Sequence, residues 1–411
     1  MGEILFLSHR IPFPPDRGDK IRSHHVLKAL AGMAPVHVAT FADDEQDFAS
    51  ESDLAAISAS HLLLRRIKPL PLAAIEALSW GRPVSLTAFH DRRLKGWVRE
   101  TLRKREIDVI YVFSGQMAQY VPDSFTGRVV ADLVDVDSAK FEAYGANGKG
   151  LRSWIDRREG RVLGAEEARI VRRADASLLI TSLEAELLCS RLPLDLAGSA
   201  KVHAMGNGLD SAWFDPALVE PEPRIVQSGG PRIIFTGQMD YAPNVAAVLR
   251  AIDRIMPAVR AACGHATLHV VGRNPVEALL ARDGVNGTRI WGRVEDIRPW
   301  LAGADLALVP LDIARGVQNK VLEAMAMELP VILTPGAANG IDAVDGRDFH
   351  IADGDAAMAG AILAFSQSAA RKQAKGSAAR RWIVENASWS AALSRLPEYI
   401  GRACPRLSDV A

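Results

Sequence analysis

Leu306-Ala-Leu-Val-Pro310-Leu-Asp-Ile-Ala-Arg315-Gly-Val-Gln-Asn-Lys320-Val-Leu-Glu323-Ala-Met-Ala-Met-Glu-Leu-Pro330-Val-Ile332 compresses a strand, a glycine-bearing loop, a helix and a second strand into one short span. The unbroken apolar run before Pro310 suits a strand covered on both faces, because a half-exposed strand would alternate with polar residues. A helix is expected to start near Asn319 and to end before Pro330. Strand, helix and strand in that order form the repeating unit of a parallel α/β layer. The helix start also carries chemistry. Free N–H groups and the helix dipole attract phosphate there, and Lys320 adds a full positive charge. Glu323, one turn on, can accept hydrogen bonds from vicinal sugar hydroxyls. The same Lys/Glu spacing also occurs on an ordinary capped surface helix.

Working outward, the alternation repeats on both sides. Strands are expected at Ile4–Ser8, Val36–Phe41, Leu62–Arg66, Val109–Phe113, Val129–Leu133 and Leu178–Thr181, with helices at Lys20–Met33, Ala88–Arg105 and Ser153–Arg173 among them. A Gly/Pro/Glu-rich break follows at residues 206–231. The pattern then restarts with strands at Ile233–Thr236, Leu268–Val271, Arg289–Trp291, Leu306–Pro310 and Val331–Leu333, and residues 356–400 read as helical. The fold expected is α/β with two doubly wound Rossmann-like domains: residues 1–205, residues 206–385, and a helical segment 386–411 returning to the first. Ligands of such sheets sit at the carboxyl ends of the strands.

Composition agrees with a two-domain chain. Its 411 residues exceed what one core usually supports. Equal numbers of basic and acidic side chains, 49 of each, argue against a general nucleic-acid binder. Cys189, Cys263 and Cys404 are distant from one another and odd in number, which fits a reducing compartment and no metal-ligand spacing. The only apolar run near the start is Ile4–Leu7, and no stretch reaches the roughly 20 apolar residues of a membrane span. The expectation is a cytoplasmic protein, soluble or resting on the inner face of the membrane.

Several further segments bear candidate site residues. Phe235-Thr-Gly237-Gln-Met-Asp-Tyr-Ala-Pro-Asn244 gives a strand, a glycine turn and a helix begun by Pro243, which makes a second loop suited to phosphate. Arg273, in Val270-Val-Gly-Arg-Asn-Pro275, supplies another cation. In the loop Ser8-His9-Arg-Ile-Pro-Phe-Pro-Pro-Asp-Arg-Gly18, the glycine permits close approach to a phosphate or sugar. Asp135-Val-Asp137 follows a first-domain strand. It can be read as a metal-chelating triplet, an acceptor-side acid pair or an N-cap turn. His9 lies at a strand's carboxyl end and suits acid/base chemistry better than His24 and His25, which fall inside the first helix. Basic clusters at residues 82–105 and 152–173 suit either a solvated face or anionic headgroups.

These segments together resemble family-4 retaining GT-B glycosyltransferases. Asn319-Lys320…Glu323-Ala-Met-Ala…Pro330-Val is similar to that family's donor signature, Asn207-Gly-Leu-Asp210 to its Asn-Gly-Val-Asp junction, Gly292-Arg-Val294-Glu-Asp to its base-holding loop, and Ser388-Trp389 to the segment before its final helix. The Ser8–His24 loop, Asp132–Ser138 and Thr236–Asn244 resemble the sugar transferases associated with exosortase A/PEP-CTERM systems. The resemblance implies a donor site of Gly18, Gly237, Asn244, Arg273, Val294, Arg315, Asn319, Lys320 and Glu323, with lysine on the diphosphate and glutamate on the ribose. Arg315 stands where the family usually has a glutamate for the donor sugar. His9, Asp135 and Asp137 are the catalytic candidates. The implied reaction moves a sugar from a nucleotide-diphosphate donor to a polysaccharide or lipid-linked acceptor, with retention and with neither metal nor cofactor. Two alternatives are a non-catalytic nucleotide-binding scaffold in polysaccharide assembly and a GT-B nucleotide-sugar epimerase.

Overall fold

The computed structural model describes residues 2–147, 150–312 and 317–402. By its contacts the chain divides into two compact units. The first runs to Asn207 and includes the described residues from Ala392 onward; the second is Gly208–Ala391.

The first unit is built on seven parallel strands: β1 (Glu3–Ser8), β2 (Val36–Ala42), β3 (Ser60–Arg65), β4 (Ile107–Phe113), β5 (Arg128–Val134), β6 (Ala176–Leu179) and β7 (Val202–Ala204). Their order is β3-β2-β1-β4-β5-β6-β7, so the direction of winding reverses between β1 and β4. The inner strands are the near-continuous apolar runs: every residue of β2 is buried, as are Ile4–Ser8 and Val109–Phe113. Edge strand β3 is only half-covered. The described end of the chain belongs to this unit. Arg402 donates to the carbonyls of Gly2 (2.8 Å) and Met33 (3.0 Å), and the Tyr399 carbonyl accepts from Arg128 (2.6 Å).

The second unit has six parallel strands: β8 (Arg232–Thr236), β9 (Thr267–Val271), β10 (Thr288–Gly292), β11 (Leu306–Val309), β12 (Val331–Leu333) and β13 (His350–Ile351). The order β10-β9-β8-β11-β12-β13 puts its reversal between β8 and β11. The segment read as a linker is structured from Gly208 on. Leu209 bridges to Ser388, and a Cβ on Gly208 would lie 2.4 Å from the backbone of Trp389, so only glycine allows the two segments to meet. Farther along, Ile225 is fully buried in the core that surrounds β8 and β11. β7 and β13 were not expected from sequence. Each is short and lies at a sheet edge, where little apolar pattern is needed.

Candidate functional site

A parallel sheet leaves a crevice where its winding reverses, beyond the carboxyl ends of the strands on either side. In the second unit those ends are Thr236 on β8 and Val309 on β11. A pocket of about 480 Å³ lies there, lined by Gly237, Asn244, Arg273, Val294, Lys320 and Glu323 among others. Gly237 leaves β8 with φ +153°, donates its N–H to Val271 (3.1 Å), and is so closely overlain that a Cβ would stand 2.9 Å from Asn244 Nδ2 and 3.3 Å from Lys320 Nζ. Gly272, after β9, is tighter still: a Cβ there would meet the Gly237 carbonyl at 1.6 Å. Two glycines thus lower the backbone rim so that the side chains behind it reach the pocket.

The helix Asn319–Ala326 follows β11, and its first two turns bring Asn319, Lys320 and Glu323 to the pocket. Lys320 Nζ donates to the Asn244 side-chain carbonyl at 2.5 Å and stands 4.8 Å from the centre of the Phe235 ring. Asn244, buried at the start of helix Ala242–Arg250, is fixed in turn by donating to the Gln238 carbonyl (2.9 Å). Among the described residues Lys320 has no carboxylate within ion-pair distance. Burial lowers its pKa to about 8, against the opposing pull of Glu323. Burial likewise raises the Glu323 carboxyl above its ordinary range, and Lys320 offsets only part of that. Arg273 reaches Gln238 Oε1 at 3.0 Å. Arg293 also lines the pocket, is exposed, and makes no ion pair among the described residues. Among the described residues three cations therefore face one carboxylate, with Val271, Val294 and Ile297 as an apolar wall. Chemically this receives a ligand with a polyanionic middle, a flat apolar end and hydroxyls.

Seven expected donor residues, Gly237, Asn244, Arg273, Val294, Asn319, Lys320 and Glu323, line this one pocket. Arg315 lies outside the described residues. Arg293 was missed as a site residue, although it stands inside the quoted Gly292–Asp296 loop. Gly292, the last residue of β10, has φ +72°, and Arg293, Val294 and Ile297 after it line the pocket.

The remaining candidates belong to the first unit. Gly18 opens helix Gly18–Ala31 at an ordinary φ, and a Cβ there would meet nothing within 4 Å. Its backbone alone does not require glycine, and the space beside it is open. His9 leaves β1 buried rather than open. It stacks on Phe113 (5.9 Å between centres), with Phe89 edge-on, and its Nε2 lies 3.3 Å from Asp19. Burial lowers its pKa, with the Asp19 hydrogen bond opposing. Asp135 and Asp137 follow β5 and line a small cavity of about 20 Å³ with Glu166, Glu167 and apolar neighbours. Desolvation raises both carboxyls, with Glu184 adding to Asp135. The backbone at this rim is unusual. Val134, immediately before Asp135, has φ +71°, and Ser114, after β4, has φ +75°. A β-branched residue in the left-handed region costs about 1–3 kcal/mol, a strain that gathers at sites where side-chain direction matters.

Comparison with known proteins bears on the second unit and on the fold. Residues 230–368 match the family model described as Glycosyl transferases group 1. No curated protein matches the sequence significantly. Among solved structures, similarity extends over nearly the whole chain. The Anabaena protein HepE, in complex with UDP and glucose, is 14% identical with a TM-score of 0.56, covering 98% of this chain and all of that one. A glycosyltransferase from Rickettsia africae is 15% identical with a TM-score of 0.59 over 97% of each chain. The sucrose-phosphate synthase of Thermosynechococcus elongatus is 16% identical at 0.56, covering 97% of this chain and 98% of that one. The two Rossmann-like units are those of the GT-B fold. Together with the family match, this fold supports a glycosyltransferase of the GT-B type.

Proposed function

We propose that this chain is a retaining, metal-independent glycosyltransferase moving a sugar from a nucleoside-diphosphate donor to a polysaccharide or lipid-linked acceptor of envelope or exopolysaccharide synthesis, akin to the family-4 enzymes and their exosortase-associated subgroup. The observation that carries the reading is Lys320: a desolvated ammonium held by a neutral amide, with its charge left for a ligand. In this reading Lys320, Arg273 and Arg293 meet the diphosphate, and the first-turn amides of helix Asn319–Ala326 add to the same field. Glu323 accepts from the ribose hydroxyls. The base lies along Val294 and Ile297, the apolar part of the lining. Among the described residues Glu323 is the only carboxylate lining the pocket, and in this reading it is engaged by the ribose rather than by the anomeric carbon. Retention then proceeds on one face. The acceptor oxygen bonds to the anomeric carbon as the bond from that carbon to the diphosphate oxygen breaks, and the acceptor proton passes to the departing phosphate. Asp135, Asp137 and His9 are assigned to the acceptor side.

Calorimetric titration of UDP, GDP, ADP and CMP into wild type and Lys320→Ala, with and without magnesium, tests this directly. One diphosphate is expected to bind without metal, at least about tenfold more weakly to the variant, because a hydrogen bond to a charged group contributes about 1.5–3 kcal/mol. Absence of binding by any of the four, or binding that needs magnesium, would overturn the assignment. An inverted product seen by NMR would overturn the stereochemistry alone.

A further inference from the structure

Two edges of the second unit's pocket stand on strands that are not neighbours. Arg293, Val294 and Ile297 follow β10, and Asn319, Lys320 and Glu323 follow β11, with β9 and β8 between. Three strand spacings amount to about 14 Å, so the sheet's own hydrogen bonds relate the two edges only through the intervening strands.

Each edge is also fastened by an arginine that does not line the pocket. Arg298 closes the loop after β10. Its guanidinium grips Asp296 (3.0 and 2.6 Å), donates to the Trp213 carbonyl (3.0 Å) and lies 3.4 Å from the centre of the Trp213 ring. Arg380 meets the far end of helix Asn319–Ala326. It donates to the carbonyl of Ala326, the last residue of that helix, at 2.6 Å, where the dipole favours a cation. The same guanidinium donates to the Phe214 carbonyl (2.7 Å) and pairs with Asp215 (2.8 Å). One turn before Arg380 on helix Ala369–Trp382, a Cβ on Gly376 would lie 1.9 Å from the Glu328 carbonyl, so only glycine lets this helix come so close. Arg298 and Arg380, only 12% and 18% exposed, thus arrive from distant parts of the chain at three consecutive residues, Trp213-Phe214-Asp215.

Those three residues are themselves held. The N–H groups of Trp213 and Phe214 donate to the carboxylate and the carbonyl of Asp210, each at 2.9 Å. Leu209, just before, donates to the Ala387 carbonyl (2.7 Å) and accepts from the Trp389 N–H (3.2 Å). Trp213 is 54% exposed, so burial does not account for a tryptophan there; a ring face for the Arg298 guanidinium does.

We propose that Trp213–Asp215 is a strap shared by both edges of the pocket, and that Arg298 and Arg380 are positioning residues that set the distance between them. A ligand that spans the two edges then meets a spacing fixed in advance and does not have to order it on binding. The identity of that ligand rests on the donor reading above; the strap itself does not.

Hydrogen exchange of the empty protein, read by mass spectrometry, tests the strap without nucleotide. Arg298→Gln is expected to speed exchange about tenfold in residues 292–298 and also in helix Asn319–Ala326, and Arg380→Gln is expected to do the same at both edges. Trp213→Ala, at a half-exposed position where folding is little disturbed, is expected to loosen both edges as well. Lys372→Ala is the control. It removes an ion pair with Asp305 (2.7 Å) from the same helix as Arg380, and should lower the melting temperature without changing exchange at either edge. In UDP titration each glutamine variant is expected to bind about five- to tenfold more weakly than wild type. The double variant should bind no more weakly than the worse single, because either loss already frees the strap. Exchange confined in each variant to its own edge, or losses of UDP affinity that simply add, would overturn the shared strap. Crossed exchange in a protein that binds no UDP would uphold the strap and overturn the donor reading instead.

Discussion

The carboxyl ends of β1 and β2 in the first unit and of β8 and β11 in the second are both rich in charge, but the charge is disposed differently. In the first unit every arginine of the group has a carboxylate. Arg10 binds Asp43 (2.6 Å) and Asp19 (2.8 Å), Arg66 binds Asp43 (2.7 Å), and Arg17 binds Asp19 (2.9 Å). Desolvation would raise the Asp19 carboxyl, but hydrogen bonds from His9, Arg17 and Arg10 outweigh it and hold it well below the usual range. In the second unit Lys320 is held by an amide and Arg273 by a glutamine side chain. Charge cancelled within the protein fixes a loop. Charge oriented by neutral partners remains available to an anion. The number of basic residues does not separate the two regions; the identity of their partners does.

The largest expected effect comes from the most closed pair of the first unit. Arg22 grips Asp132 through two nitrogens (3.0 and 3.1 Å), and it also donates to the Gly206 carbonyl and to Asn207 Oδ1. Arginine and aspartate are both essentially without solvent contact. Arg22→Ala leaves a buried carboxylate unpaired and is expected to cost about 3–5 kcal/mol in urea unfolding. If the first unit's charges are structural, the fraction that remains folded binds UDP as wild type does. A stable Arg22→Ala protein with weakened nucleotide binding would erase the contrast drawn above.

How much of this contrast was legible in the sequence follows from the range of the interactions. The strand runs and the Asn319–Glu323 turn are local patterns, and the pocket residues of the second unit fall on them. Arg22 and Asp132 are far apart in sequence, and nothing near either one announces the other. The aromatic neighbours of His9 likewise come from distant segments, so its burial has no local cue. The strain at Val134 was invisible, because valine gives no cue to a left-handed backbone. Arg293 was within reach: it sits beside a glycine at a strand end, and that context could have placed it with Arg273.

A pH series sharpens the second half of the comparison. The Lys320 pKa in the folded protein is about 8, below its ordinary value near 10.5. Between those values the unfolded chain holds a proton that the empty folded protein has released, so this residue makes stability rise with pH through that window. Diphosphate binding needs the charged form and is expected to move the opposite way, weakening about tenfold between pH 7.5 and 9. Lys320→Met removes both trends, and the empty protein melts about 2–4 °C higher at pH 7 because a desolvated charge is gone. Calorimetry and thermal melts on the same samples read the two slopes. Parallel slopes would mean that Lys320 is not the residue that meets the ligand.

The smallest effects belong to Arg273 and Arg293. Both line the pocket, but both lie at its solvent side, where water and salt weaken a single charge contact to about 0.2–1 kcal/mol. Alanine at either position is therefore expected to reduce UDP affinity only about two- to fivefold, and the loss should shrink in 0.5 M salt while the loss from Lys320→Ala persists. The double variant distinguishes two arrangements. If the arginines contact different phosphates, their losses add; if one replaces the other on the same phosphate, the double variant loses far more than the sum. Additive and salt-sensitive losses would make the desolvated lysine the centre of the site and the arginines its outer field. A salt-insensitive loss from Arg293→Ala equal to that from Lys320→Ala would instead show that the loop after β10 closes over the ligand and buries its own charge there.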